Sequence, residues 1–161
     1  MNEISTTDKK KKVFLQSFHQ ITALETALDV LKELDPQLSF ASILANLGSI
    51  SPNDSKGLTR KEESVEVKFQ KLLGEAVKSG TFYNHEIGLV GVGGFLESIL
   101  LSPVGQKVIG SLSGGPYGVL RGMEVSDTKA LFNLKELSAG SYLLIIRGDQ
   151  QLIGKVQHVL A

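Results

Sequence analysis

The residues that could do chemistry form a few short groups, and none of these groups is a complete catalytic pattern. Gly91-Val92-Gly93-Gly94 has the glycine content of a phosphate-binding loop. It lacks the Gly-x-Gly-x-x-Gly spacing, and no Lys-Ser or Lys-Thr pair follows it, so a nucleotide site is not predicted. No Gly-x-Ser-x-Gly elbow occurs in the chain. The sequence therefore predicts no catalytic residues and no cofactor.

The histidines and cysteines give no metal or nucleophile pattern. His19, His85 and His158 are far apart in the chain, and none has a second ligand at metal-binding spacing. His85 is adjacent to Glu86, so these two side chains point apart on a helix or a strand. The chain has no cysteine, which excludes thiolate ligands, disulfides and a cysteine nucleophile. We expect no metal site and a protein that is not an enzyme.

Three cations are the candidates for contact with a small anion. Lys107, Arg121 and Arg147 could meet an anion in a crevice between a sheet and glycine-rich helices. Arg147 also begins the cell-adhesion tripeptide Arg-Gly-Asp. A structural reading accounts for that tripeptide, because Gly148 can turn the chain and Asp149 can cap a helix. These cations support one alternative function, a regulatory domain that senses a small ligand.

The overall composition limits the partners. The 17 basic and 17 acidic residues of the 161-residue chain cancel. This balance argues against nucleic acid as a partner, because phosphate binding needs a net basic surface. The run Lys9–Lys12 is interpreted as a solvated approach to the first strand, with a tether to anionic membrane as the alternative. No apolar signal segment is recognised, so we expect a cytoplasmic protein, with peripheral membrane contact left open.

The elements that would position these residues are clearest near the N-terminus. Val13–Phe18 has the apolar content of a buried strand, and the stretch from Ile21 to Leu34 has apolar residues at helical spacing. Ser39–Leu47 is predicted to be a second strand. A helix that joins two strands indicates a parallel β-α-β unit over 12–47 with a right-handed connection.

The C-terminal third, residues 126–161, predicts a helix–strand–helix unit. Ser126 and Asp127 have the side chains of a helix start, and Gly140 is suited to end that helix in a left-handed conformation. The helix is expected to present Ala130, Leu131, Leu134 and Leu137 on one face. A strand buried on both faces follows over 141–147, and Asp149 is expected to cap the final helix.

The middle of the chain, residues 59–125, is predicted to be a mainly helical, glycine-rich insertion. It begins with a helix from Thr59 to Lys78. The apolar stretch from Ile87 to Leu101 contains Glu97 and is shorter than the ~20 residues that a bilayer requires. A buried or partner-facing helical hairpin is therefore preferred over a membrane span.

Four glycines in this insertion are candidates for close packing. Gly110, Gly114, Gly118 and Gly122 are spaced four residues apart, and small residues at this spacing let a second backbone approach closely. Pro116 is expected to begin a new helix in its first turn. The glycines would then pack at an elbow between two helices of the same chain, or they would lie between two subunits.

The stretch from Gly118 to Ala161 resembles the end of the bacterial general stress protein and low-temperature-induced protein families. The resemblance rests on Gly118, Gly122-Met123, Asp127, Gly140, Leu143 to Ile146, Gly148-Asp149 and Val156. The β-α-β unit over 13–47 is similar to the start of the same proteins, whereas the helix around Val65 to Val77 has no counterpart in them. The resemblance implies a link to stress or cold response, and it implies no reaction.

These observations predict one domain over 1–161 of the α/β (α+β) class. Its small ferredoxin-like sheet would have three strands and would carry the helical, glycine-rich insertion. The expected function is that of a non-enzymatic, stress-associated structural or interaction protein. It would form a homo-oligomer or bind another protein, because exposed apolar surface usually marks a binding partner.

Overall fold

The computed structural model describes residues 10–48 and 55–161, so Lys9 of the lysine run and part of the loop after Gly48 lie outside the described residues. The elements in chain order are β1 (Lys12–Phe18), α1 (Ile21–Leu31), β2 (Ala41–Asn46), α2 (Ser55–Leu73), β3 (Ser79–Asn84), β4 (Gly88–Gly94), α3 (Glu97–Leu100), β5 (Pro103–Val104), β6 (Lys107–Val108), a 3-10 turn (Ile109–Ser111), α4 (Gly115–Gly122), α5 (Asp127–Ser138), β7 (Tyr142–Gly148) and α6 (Gln150–Val159). Five strands form one antiparallel sheet in the order β1-β7-β2-β4-β3, and β5 pairs with β6 in a separate hairpin. One sheet combined with helices confirms the predicted α+β class.

The predicted helix boundaries at the C-terminal end are confirmed. Ser126 Oγ accepts a hydrogen bond from the Lys129 amide at 3.3 Å, which caps α5. Asp149 Oδ1 accepts one from the Leu152 amide at 2.8 Å, which caps α6. Gly140 has a φ of +107°, the left-handed conformation that ends a helix without steric cost. Local capping chemistry is therefore enough to place these two helices.

The N-terminal β-α-β unit exists, but its two strands are not neighbours. β1 and β2 run in the same direction, because each pairs antiparallel with β7, and β7 lies between them. The predicted parallel direction of β1 and β2 is thus correct. The two strands do not pair with each other, because β7 separates them. The split β-α-β arrangement is the feature that the sheet shares with ferredoxin-like folds.

The prediction of a mainly helical insertion over 59–125 is wrong in its central part. The predicted helix is present as α2, but the chain then forms the β3–β4 hairpin, which contributes two strands to the sheet. The stretch from Ile87 to Leu101, predicted as a helical hairpin, contains β4 and then the short helix α3. Gly91 and Gly93 of this strand face α2, and a Cβ on Gly93 would lie 2.8 Å from the Phe69 ring. The glycines therefore serve the close packing of a helix on a strand.

Helices cover both faces of the sheet. The α1 face carries α1, α2 and α6, and the α5 face carries α3, α4 and α5. Successive residues of β7 point to opposite faces, with Leu144 and Ile146 on the α1 face and Leu143 and Ile145 on the α5 face. All four are fully buried. This confirms the predicted strand that is buried on both faces.

Candidate interaction surface

Helix α5 lies on the α5 face of the sheet, between α4 on one side and the edge strand β1 on the other. Ala130, Asn133 and Leu137 form its buried stripe. A groove runs along each side of the helix. We call them the α4–α5 groove and the β1–α5 groove.

The α4–α5 groove is mainly apolar and has a volume of about 450 Å³. Its apolar lining consists of Ile87, Pro116, Tyr117, Leu131 and Leu134, and Lys135 and Glu86 contribute the charged groups. A groove of this kind can accept apolar side chains from a partner, and the two charged groups can orient that partner.

The floor of this groove is held by side chains that bind backbone groups. Asn84 is 1% exposed, and its Nδ2 donates to the carbonyl oxygens of Gly110 at 2.8 Å and Leu112 at 3.1 Å. Its Oδ1 accepts from the Glu86 amide at 2.8 Å. Glu86 Oε1 in turn accepts from the Gly114 amide at 2.8 Å. These bonds fix the β3–β4 turn against the chain that leads into α4.

A second contact ties α4 to α5. The Tyr117 hydroxyl donates to Asp127 Oδ1, at the first residue of α5. This hydrogen bond to the carboxylate raises the pKa of the Tyr117 phenol above its usual value, because the neutral phenol is the donor. The two helices that form the groove are therefore fixed to each other.

Two large apolar side chains on α5 are exposed at consecutive positions. Leu131 is 54% exposed and lines the α4–α5 groove, and Phe132 is 59% exposed and lines the β1–α5 groove. We call this pair the apolar ridge. Leu131 was predicted on the buried face, so this part of the helix prediction is wrong. Asn133 is buried beside them instead, because Ser17 Oγ of β1 donates to its Oδ1 at 2.8 Å.

The four glycines spaced by four residues do not act as one unit. Gly110 packs internally, since a Cβ there would lie 2.7 Å from the Phe82 ring. Gly114 has a φ of +69° and precedes α4, and Pro116 lies in the first turn of that helix as predicted. Gly118 and Gly122 lie on the exposed side of α4, and a Cβ on either would have no atom within 4 Å. Internal packing thus explains Gly110 and leaves Gly118 and Gly122 open to solvent.

The three candidate anion contacts are on three different elements. Lys107 is on β6, Arg121 on α4 and Arg147 on β7. Arg121 Nη1 donates to the Val125 carbonyl at 3.5 Å. Among the described residues, none of the three lines either groove. A shared anion site for them stays a prediction.

The β1–α5 groove is polar, with a volume of about 690 Å³, and two of its lining residues, His19 and Glu136, belong to a constellation that the sequence did not reveal. Ser141 Oγ lies 3.0 Å from His19 Nδ1, and His19 Nε2 lies 3.6 Å from Glu136 Oε1. The antiparallel pairing of β1 with β7 and the end of α5 bring these residues together, across 122 positions for Ser141 and His19. Pairing between distant strands leaves no local signal in the sequence.

Serine, histidine and a carboxylate in contact can form a nucleophilic triad. Ser141 is only 3% exposed, and it does not line the groove. The His19 side chain is 78% exposed, whereas a catalytic base works best in a site that excludes water. The contacts of these three side chains join the end of β1, the start of β7 and the end of α5.

Among the residues that the structure describes, no group of three or more histidine, aspartate or glutamate side chains could hold a metal ion. Within the same ranges, no helix has both the length and the apolar character needed to cross a bilayer. Comparison with known proteins found no matching family model, no matching curated protein and no matching solved structure. The resemblance to general stress proteins stays a prediction.

Proposed function

We propose that this protein is a non-enzymatic interaction protein that self-associates through the side of the molecule formed by α5. The observation that carries this proposal is the apolar ridge, where Leu131 and Phe132 are each more than half exposed on one helix. Apolar side chains that are clustered at the surface and flanked by grooves are typical of binding surfaces. Covering a leucine or a phenylalanine completely is worth about 1.5–3 kcal/mol.

The exposed glycines of α4 fit the same role. Gly118 and Gly122 leave a flat strip on the exposed side of α4, the helix that forms one wall of the α4–α5 groove. A flat strip lets a partner element approach the helix backbone closely. The role in stress or cold response that the resemblance implies would be carried out by the assembled form.

Light scattering after size-exclusion chromatography, over a concentration series, tests the proposal. The natural protein should show a mass that increases with concentration to that of a defined oligomer. Leu131→Glu together with Phe132→Glu should shift the mass toward the monomer. Val67→Glu is the matched control, because Val67 is 52% exposed on α2, on the opposite face of the sheet. A monomer at every concentration would overturn the proposal.

The glycine strip can be tested separately. Gly118→Leu and Gly122→Leu have space for the new side chain, so the fold should tolerate them. Gly114→Leu is unsuitable, because its left-handed backbone would be strained by any side chain. A loss of assembly without a fall in melting temperature would show that the strip touches a neighbour, whereas unchanged assembly would remove the strip from the interface.

A second candidate function, a small-ligand sensor, is favoured by a different cavity. This cavity of about 590 Å³ lies between the α1–β2 loop, the α2–β3 loop and the β4–α3 turn. Leu38, Gly74 and Gly94 each have a positive φ and stand in these three segments. Asp35 fixes the first loop by accepting from Ser39 Oγ at 2.8 Å, the bond that contributes most to lowering its pKa. The volume is in the range of small-molecule sites.

A thermal-shift screen with metabolites tests this second function. A ligand for this cavity should raise the melting temperature of the natural protein but not that of Ala76→Trp, because Ala76 lines the cavity and is exposed. Ala139→Trp, at the exposed end of α5, is the control. A shift that survives in Ala76→Trp would place the ligand elsewhere.

A further inference from the structure

Strand β1 is an edge of the sheet, and in the described parts of the chain it pairs with β7 alone. An edge strand with an open side presents unpaired amide and carbonyl groups, which can pair with a strand of another chain. Val13, Phe14 and Leu15 are only partly buried, and they lie beside the exposed Phe132 in the β1–α5 groove. This edge therefore combines unpaired backbone with exposed apolar surface.

The charge along this edge is unequal at its two ends. Lys10, Lys11 and Lys12 stand at the start of β1, and Arg147 of β7 is paired with the neighbouring Val13. Glu124 offsets part of this charge through an ion pair with Lys10 at 3.5 Å. The start of the edge is thus positively charged.

The opposite end of the edge carries a carboxylate. Glu136 stands beside His19, just after β1 ends. Lysines on edge strands commonly prevent pairing between sheets. The lysines at the start of β1 would repel the lysines of a neighbouring strand placed beside them. They would attract a neighbouring strand that places its Glu136 end beside them. Two copies of β1 satisfy that condition when they run antiparallel.

We propose that a second copy of this chain pairs with β1 in an antiparallel register centred on Leu15, so that two sheets join into one. This inference rests on the proposed self-association and names its surface. The register places Leu15 opposite Leu15 of the other copy, Val13 opposite Ser17, and Lys12 opposite Phe18. A two-fold axis at Leu15 makes the interface self-complementary.

The register also covers Phe132, one of the two residues of the apolar ridge. Val13 and Leu15 point to the α5 face, where Phe132 borders the same groove. Pairing at β1 brings the two copies of Phe132 toward the two-fold axis on that face, where each is covered. Leu131 lies on the other side of α5 and stays at the α4–α5 groove.

Disulfide cross-linking measures this register directly, because the natural chain has no cysteine. Facing residues of an antiparallel pair have Cα atoms about 4.5 or 5.5 Å apart, and both distances suit a disulfide. Leu15→Cys should therefore form a covalent dimer when oxidised glutathione is added. Val13→Cys is the matched control, since its two copies would be offset by four residues, roughly 14 Å. A mixture of Val13→Cys and Ser17→Cys should cross-link to the mixed dimer.

Solution assembly provides the second measurement. Leu15→Glu would place two carboxylates opposite each other at the two-fold axis and should raise the dimer dissociation constant on the order of 100-fold. Circular dichroism shows whether this variant is folded, and the Leu15→Cys result stands if it is not. Added salt should weaken the natural dimer, because the attraction between the lysines and the Glu136 end is screened.

The outcomes separate this inference from the proposed function. An oligomer that Leu131→Glu with Phe132→Glu dissociates, but that Leu15→Cys does not cross-link, would overturn the β1 register and leave self-association in place. Cross-linking of Val13→Cys equal to that of Leu15→Cys would also overturn it. A monomer at every concentration would overturn both proposals.

Discussion

The two grooves beside α5 differ in how their polar groups are satisfied. On the α4 side, Asn84 and Glu86 bind the backbone at Gly110, Leu112 and Gly114, and the remaining lining is mostly apolar. On the β1 side, side chains bind other side chains, and one wall is the open edge of a sheet. The polar groups of the α4–α5 groove thus find their hydrogen-bond partners within the chain. The β1–α5 groove is bordered by backbone groups with which a second chain can form hydrogen bonds.

The two grooves should therefore respond differently to substitution. On the α4 side, the buried Asn84 makes four of the bonds, so its substitution should cost the most stability. The bonds of Glu86 and Tyr117 on the same side are exposed and should contribute less. On the β1 side, the contacts of Asn133 and His19 are partly buried, so substitutions there should have intermediate effects on stability and should act more on assembly. Four substitutions test this ranking.

The largest effect is expected for Asn84→Ala, on the α4 side. The change removes donors to two carbonyls and the acceptor of the Glu86 and Ile87 amides, at a position that is 1% exposed. We expect the free energy of unfolding to fall by about 3 kcal/mol, because several groups lose their partners. Urea denaturation measures it. Ser113→Ala is the control, since its 3.5 Å contact to Glu86 is weak. A loss below about 1 kcal/mol would contradict this picture.

Asn133→Ala tests the β1 side and should have a smaller effect. Asn133 Nδ2 binds the Lys129 carbonyl of its own helix at 2.8 Å, and its Oδ1 binds the partly exposed Ser17. We expect a loss of about 1.5 kcal/mol, because in the described ranges the Asn133 side chain is linked to β1 by one hydrogen bond. A double-mutant cycle with Ser17→Ala isolates that bond. If Asn133→Ala costs more than Asn84→Ala, the ranking of these two asparagines is wrong.

Glu86→Ala should have a smaller effect again. Its carboxylate is exposed, and its strongest contact is the 2.8 Å bond from the Gly114 amide. We expect a loss of about 0.5–1 kcal/mol, and Glu86→Gln should retain most of the stability because its amide oxygen can accept the same bond. Equal losses for the two variants would show that charge matters more than this hydrogen bond. Thermal unfolding at neutral pH distinguishes them.

The smallest effect concerns pH and Tyr117. Because the hydrogen bond to Asp127 raises the pKa of the folded phenol, the stability it adds is fully present below the unfolded pKa of about 10. That stability is lost as pH rises through the folded pKa. The difference in unfolding free energy between the natural protein and Tyr117→Phe should therefore shrink above pH about 10. A difference that stays constant to higher pH would exclude this bond as the cause.

Local sequence was sufficient for the elements at the two ends of the chain. β1, α1, β2, α5, β7 and α6 are all present near their predicted bounds. Their signals are short-range: apolar spacing, a cap such as Ser126 or Asp149, and a stop such as Gly140. Each depends on groups within about four residues along the chain.

The middle of the chain was not predictable in the same way. In β4, Gly91 and Gly93 occupy the alternate positions that a strand normally marks with larger apolar residues, so the two-residue period is weak. Their small size matters because the side chains of Val65 and Phe69 of α2 pack directly against them. A glycine-rich apolar stretch of this kind is indistinguishable from a packed helix until its neighbour is known.

The candidate surface shows the same division. Sequence patterns were enough to predict α1, α5 and α6, the caps of α5 and α6, the strand that is buried on both faces and the lysines at the start of β1. Only contacts between distant segments place β7 between β1 and β2, bring His19 to Ser141 and Glu136, and leave Leu131 and Phe132 facing solvent. The physical reason is range: a cap is a bond within one turn of helix, whereas strand order and exposure depend on hydrogen bonds and packing between segments far apart in the chain.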